Sequence, residues 1–274
     1  MSGFSPEWLA LREPADIAAR NPRVLAACRS AFAGRDALVI SDMGAGTGAS
    51  VRALADFLPR RQTWVLIDHD DRNLTAALTA LHAWGDSAEG TDIHRGEQRI
   101  TIEALRHDLA KEPAPWPADT GLVTASALLD LPSFSWIDAF VSELKARRLP
   151  ALVTLTVDGV MSAEPAHKFD QRVFAAFRKH QGGDKGFGPS AGADAALHLE
   201  RAFIAAGYTV EAGDSPWIID RGSLRLLTEL LTGIAGAARE TGNVDTANID
   251  RWLRDRIADT TTLVVGHRDV FARP

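Results

Sequence analysis

Between positions 40 and 50 the chain reads ISDMGAGTGAS, with glycine at 44, 46 and 48. Three glycines at alternate positions weaken the interior of a helix or a strand, because each adds backbone freedom that folding must remove. They belong at a tight turn, where the backbone bends sharply and no side chain stands between it and a ligand. Residues 37–41 before the turn are a short apolar run, and residues 50–58 after it resume helical spacing. The segment therefore reads strand, turn, helix. Its helix offers free N–H groups and the positive end of its dipole to whatever the turn holds.

The same alternation continues downstream. Residues 64–67 form a second apolar run closed by Asp68, and 73–84 read as a helix. Residues 85–98 are polar and glycine-containing and read as a loop. Strands are expected at 100–105, ending near His107 and Asp108, at 122–125 and at 151–157, with a helix at 136–145. Strands alternating with helices imply a parallel sheet covered on both faces. Before this core, residues 6–32 carry helical periodicity broken near Asn21 and Pro22. After it come a helix at 173–179, a loop at 182–193 with five glycines, and a helix at 195–206 stopped by Gly207. Strand pieces at 208–211 and 217–219, helices at 224–239 and 249–257 and a final strand at 261–265 complete the order. With no internal repeat, the expectation is a single domain over 1–274. It comprises a helical cap at 1–35, a ligand-binding core at 36–158, a lid or acceptor insertion at 159–194 and the rest of the sheet at 195–274.

Composition removes several classes. A formal net charge of −6 argues against nucleic acid as partner, since phosphate binding draws on a basic face. The single cysteine, Cys28, rules out an intramolecular disulfide and a thiolate zinc cluster, so the expected setting is the cytoplasm. No window of roughly twenty apolar residues occurs, and charged residues interrupt the N-terminal segment, so neither a membrane span nor an export signal is expected.

Asp42, two residues before the first glycine, bears on which ligand the turn holds. Gly44, Gly46 and Ala49 satisfy the nicotinamide fingerprint G-x-G-x-x-G/A, in which a pyrophosphate sits at the helix N-terminus. The longer string D-x-G-x-G-x-G, however, resembles the first motif of class I S-adenosylmethionine-dependent methyltransferases. An anion beside the turn suits that cofactor's ammonium and is awkward for a pyrophosphate. The resemblance is carried further by Asp68, twenty residues after Gly48, by His107-Asp108-Leu109 and by the segment TASALLDL from Thr124.

It implies a Rossmann-like α/β fold: a seven-stranded, mostly parallel sheet with helices on both faces, an N-terminal helical cap and helical insertions near the C-terminus. The strand pieces at 208–219 and the chain at 261–271 would be its closing antiparallel pair. It also implies cofactor contacts from Asp42, Gly44, Ala45, Gly46 and Gly48, a ribose contact from Asp68 beside His69, and an adenine contact from Asp108 beside Leu109. Ala125 and Ser126 would form the floor, and Arg12 would reach the cofactor from the N-terminal helices.

The implied activity is methyl transfer from S-adenosylmethionine to oxygen or nitrogen of a small molecule by in-line displacement, with a homodimer as one open state of assembly. An N-P-P-Y string, which marks amino-methylation of nucleobases and glutamine, is absent after the fourth strand. Two other readings stay open. One is an NAD(P)-dependent oxidoreductase, disfavoured by Asp42 and by the lack of a Tyr-x-x-x-Lys pair; the other is a scaffold or sensor that binds S-adenosylmethionine without turnover. For the acceptor, residues 167–192 combine histidines, carboxylates and phenylalanines in a glycine-rich stretch, and His167 or His180 is the candidate base. No tight histidine or carboxylate motif occurs there, so no metal is expected.

Overall fold

The computed structural model describes residues 4–274. Helix α1 (Pro6–Ala19) starts where the Ser5 hydroxyl accepts from the Trp8 amide, and α2 (Pro22–Ala31) starts where the Asn21 side chain accepts from the amides of Arg23 and Val24. Proline at the first position of each helix fits this entry. Strand β1 (Ala37–Met43) runs into the glycine turn, and α3 (Ala49–Leu54) leaves it. Next come β2 (Arg61–Asp68) and α4 (Asp71–Trp84), capped by Asp70. The short pair β3 (Ser87–Glu89) and β4 (Asp92–Arg95) precedes β5 (Gln98–Arg106) and β6 (Leu122–Ser126). Helix α5 (Phe134–Arg147), β7 (Ala151–Glu164), α6 (Asp170–Gln181), α7 (Ala195–Ala205), β8 (Thr209–Asp214) and β9 (Trp217–Asp220) follow. Helices α8 (Leu224–Glu240) and α9 (Thr246–Asp259) lead to β10 (Thr262–Arg273).

The strands form one sheet in the order β3-β4-β5-β2-β1-β6-β7-β10-β8, with β9 also on β10. The five strands from β5 to β7 are parallel, and β10 enters antiparallel to β7, β8 and β9. Ten strands stand where seven were expected, for two local reasons. Residues 85–98, expected as a loop, form the β3–β4 hairpin, which turns at Gly90 and buries only Ile93, too little apolar content to signal a strand. The penultimate strand is split into β8 and β9 at Ser215–Pro216. Helices α2, α3 and α4 bury one face of the sheet and α5 and α7 the other.

Strand β7 runs seven residues past its expected end at 157, because Met161–Glu164 pair with Thr262–Val265 at the start of β10. The first part of the expected 159–194 insertion is therefore strand. The rest includes α6, which packs with α8 and α9 over this extension. A register shift interrupts β7 near Leu155, which takes a left-handed φ of 57°. That geometry is held by Asp269 of β10, which is fully buried. Its Oδ1 accepts from the Leu155 amide at 2.8 Å and the Ser215 hydroxyl at 2.6 Å, and its Oδ2 accepts from the Asn21 amide at 2.8 Å.

Removing this carboxylate leaves the buried Leu155 N–H and the part-buried Asn21 N–H unmet. Asp269→Ala is expected to lose about 3–5 kcal/mol of unfolding free energy in urea. Glu211→Ala, which breaks the exposed pair with Arg23, is expected to stay within about 0.5 kcal/mol of the parent. Equal losses from the two changes would contradict the role given to Asp269.

Candidate active site

The glycine turn lies at the carboxyl end of β1, where ligands of open parallel sheets bind. All three glycines have positive φ, 64° at Gly44, 52° at Gly46 and 74° at Gly48. Side chains are also excluded by contact. A Cβ at Gly44 would lie 3.2 Å from Leu128, at Gly46 3.0 Å from Leu9 and at Gly48 3.1 Å from Leu81. The Ala45 amide donates to the Ile67 carbonyl of β2 at 3.0 Å, tying the turn to the next strand.

Asp42 is 1% exposed. Its Oδ1 accepts from the Thr124 hydroxyl at 2.7 Å, and its Oδ2 has no partner among the described residues. Burial pushes this carboxyl up to about 6, against the hydroxyls of Thr124 and Ser50 and the charge of Arg20. Asp68, at the end of β2, is 5% exposed and braces the turn: its Oδ2 accepts from the Gly46 amide at 2.9 Å and its Oδ1 from the Asp70 amide at 2.9 Å. The half-exposed His69 ring places Nδ1 3.4 Å from Asp68 Oδ1. Asp108 is exposed and accepts from the Ala110 amide at 3.1 Å, while Leu109 is buried and its carbonyl accepts from Trp136 Nε1. Ala125 and Ser126 close β6 beside the turn.

Helix α1 lies across these strand ends. Leu9 touches the turn, and Glu13 pairs with both Arg52 Nε and Nη2 at 2.6 Å, while Arg52 Nη1 donates to the Thr47 carbonyl within the turn. Positions 12, 16 and 20 fall on one helical face, turned inward. Arg12 Nε donates to Asp16 Oδ2 at 2.8 Å, and its guanidinium sits 5.3 Å from the Trp217 ring centre. Trp217 Nε1 donates to Asp16 Oδ1 at 3.0 Å. Burial raises the Asp16 carboxyl, opposed by Arg12. Arg20 is 7% exposed and donates to the hydroxyls of Thr154 (2.8 Å) and Ser126 (3.4 Å), leaving Nε without a partner among the described residues. Thus Arg12 meets Asp16 and Trp217, and Arg20 takes the place over Ser126.

Beyond Trp217 the His267 ring lies 5.0 Å away, buried, with Nδ1 unpartnered among the described residues. Burial, reinforced by the charge of Arg12, pushes it down to about 4. Asp130, past the end of β6, is half-buried, and burial pushes its carboxyl up to about 6.

The two histidines expected as bases are held elsewhere. His167 Nε2 lies 3.1 Å from Asp255 of α9, and His180 Nε2 2.9 Å from Glu240 at the end of α8. Asp170 accepts from Trp252 Nε1 and Arg256 Nε, locking α6 to α9. The glycine-rich loop is tied down: Ser190 Oγ and the Gly192 amide donate to the Asp130 carbonyl, and the Ala191 amide to that of Pro132. Among the described residues, no group of three or more histidine, cysteine or acidic side chains is placed to hold a metal ion, and no helix is long and apolar enough to cross a membrane. Asp16, Arg20 and His267 were missed by sequence reasoning. The spacing of four from Arg12 to Arg20 is the signal that marks the first two.

The folded state holds Asp42 above its unfolded value. Its contribution therefore favours folding at pH below about 4 and is lost as pH rises through about 6. Asp42→Asn, neutral throughout, is expected to gain about 1–3 kcal/mol over the parent at pH 8 and almost nothing at pH 4 in urea denaturation. A difference independent of pH would show that burial does not strain this carboxylate.

No family model matches the sequence, and no curated protein matches it. Solved structures do match. A putative methyltransferase from Bacillus halodurans shares 16% identity at a TM-score of 0.52, over 91% of this chain and 97% of that one. A cyclopropane synthase from Mycobacterium tuberculosis shares 9% at 0.53, over 99% and 95%. A mycolic acid cyclopropane synthase solved with S-adenosylhomocysteine shares 12% at 0.51, over 91% and 82%. At these identities the likeness is one of architecture, and the architecture is the class I S-adenosylmethionine-dependent methyltransferase fold.

Proposed function

We propose that this protein is a cytoplasmic S-adenosylmethionine-dependent methyltransferase acting on oxygen or nitrogen of a small organic molecule. The observation that carries the reading is the buried, half-satisfied Asp42 carboxylate beside a turn of three left-handed glycines. A bare carboxylate oxygen in that position attracts the ammonium of an amino-acid moiety and repels a pyrophosphate, which disfavours a nicotinamide cofactor. Asp68 remains able to accept ribose hydroxyls, because each carboxylate oxygen has two lone-pair sites and only one is used by a backbone amide. The glycines, Ala45 and Asp42 would hold the amino-acid end, Asp68 the ribose, and Asp108 and Leu109 the adenine side.

When bound, the cofactor supplies a methyl group on a positively charged sulfur, open to in-line displacement. The protein's part is alignment and exclusion of water. Leu9 and the Glu13–Arg52 pair seal the turn from above. Arg12, Asp16 and Trp217 are bound to one another on the inner face of α1, and in this reading the small acceptor binds beside them. In this reading His167 and His180 brace the α6–α8–α9 layer and do not act on the acceptor.

Titration calorimetry with S-adenosylhomocysteine and, separately, NADH tests the reading. Micromolar affinity for the first and none for the second is expected, and the reverse would overturn it. Asp68→Ala is expected to weaken S-adenosylhomocysteine by about 1–3 kcal/mol. An unchanged affinity would remove Asp68 from the site.

A further inference from the structure

Arg20 is a guanidinium with only 7% of its surface exposed, and its two side-chain hydrogen bonds go to neutral hydroxyls. A buried charge is costly unless it is paired. The carboxylates whose charges bear on it are Asp269, Asp16 and Asp42. Asp269 is filled by three other donors, and Asp16 accepts from Arg12 and Trp217. Asp42 accepts from the Thr124 hydroxyl through Oδ1 alone. Two charged atoms beneath α1 are thereby left without a partner among the described residues: the Asp42 Oδ2 acceptor and the Arg20 Nε donor.

Strand register sets these two side by side. Asp42 of β1 is paired with Thr124 of β6, and Ser126 of β6 with Thr154 of β7. Thr124 and Ser126 are two residues apart on one strand, so their hydroxyls share a face and stand about 7 Å apart along it. Asp42 is bonded to the first, and Arg20 to the second and to Thr154. The two opposite charges therefore sit as neighbours on the floor beside the glycine turn.

We propose that Arg20 binds the carboxylate of the cofactor's amino-acid end through Nε while Asp42 takes the ammonium of the same group, so that the two side chains form a receptor for a zwitterion. This rests on the methyltransferase reading and adds to it the residue that holds the carboxylate. An ammonium and a carboxylate carried on one carbon span the gap once a hydrogen bond of about 3 Å is added at each end. A ligand with positive charge alone would meet Asp42 and be repelled by Arg20, and one with negative charge alone would do the reverse. The two hydroxyls give the guanidinium a fixed orientation, because Thr154 holds Nη1 and Ser126 holds Nη2. A lysine, with a single nitrogen on a flexible stem, cannot keep both anchors and still present a donor to the ligand.

Three compounds make a calorimetric test on the whole chain: S-adenosylhomocysteine, its decarboxylated analogue 5′-(3-aminopropyl)thio-5′-deoxyadenosine, and 5′-methylthioadenosine, which lacks the amino-acid end. The parent protein is expected to prefer S-adenosylhomocysteine to the decarboxylated analogue by about tenfold or more, as for the loss of a charged hydrogen bond. Arg20→Gln is expected to erase that preference by weakening S-adenosylhomocysteine alone, leaving the decarboxylated analogue no weaker. Its unchanged affinity for 5′-methylthioadenosine reports an intact fold. Should that variant fail to bind 5′-methylthioadenosine, Arg20→Lys carries the same comparison with the same expectation. Equal weakening of the two amine-bearing compounds would mean that Arg20 only supports the strand ends, and a preference that survives the substitution would put the carboxylate elsewhere; either overturns the proposal, as does a parent with no preference. Failure of all three compounds to bind the parent overturns the methyltransferase reading beneath it.

Discussion

Asp269 is the point where the N-terminal helices, the bulged strand and the split strand are joined. Its three donors come from Asn21 between α1 and α2, from Leu155 in β7 and from Ser215 between β8 and β9. Asn21 also packs flat on Gly213, where a Cβ would lie 2.3 Å from its Nδ2, and that Nδ2 donates to the Asp214 carbonyl. The entry to α2 and the exit of α1 are thereby fixed to the sheet. Arg20 precedes Asn21, so the same knot aims the guanidinium at Thr154 and Ser126 and sets the height of α1 above the glycine turn. A fully satisfied buried carboxylate of this kind specifies one arrangement, because any other leaves polar groups dry and unpaired.

Local chemistry made the central half of the chain legible. The glycine turn declares itself because its constraint is local: positive φ recurs at three alternate positions within five residues. Asp42 and Asp68 were legible for the same reason, since each ends an apolar run. The hairpin at β3 and β4 was not, because Ile93 is its one buried apolar side chain. Nor was the length of β7, whose last four residues are strand only because chain about a hundred positions away lies beside them. The bulge at Leu155 hides further, since it spoils the alternation that would announce the strand.

The acceptor side was misleading in sequence for a related reason. Residues 167–192 look chemical by composition, yet the partners that define His167 and His180 sit 88 and 60 positions away, on α9 and at the end of α8. The phenylalanines follow suit: Phe174 packs on Trp252 in the helical layer, and Phe187 meets Trp136. The segment reaches the site through its backbone, by bracing the Asp130 carbonyl. Asp16, Arg20 and His267, in contrast, belong to no motif in the sequence, and only the fold brings them together.

One consequence of covering the turn runs through the whole site. Leu9 and the Glu13–Arg52 pair cover the glycine turn, and Asp42 beneath it is almost fully buried, where charge interactions are stronger than in water. The same desolvation raises Asp16, Asp42 and Asp130 together; Asp16 is met by Arg12 and Trp217, whereas one oxygen of Asp42 has no partner among the described residues and is costly to ionise without a cation. A positively charged ligand relieves that cost, whereas a neutral ligand of the same shape leaves it in place. In the proposed reading the cofactor's ammonium is that positive charge, so the same helix that covers the turn makes the match between Asp42 and the amino-acid end count for more.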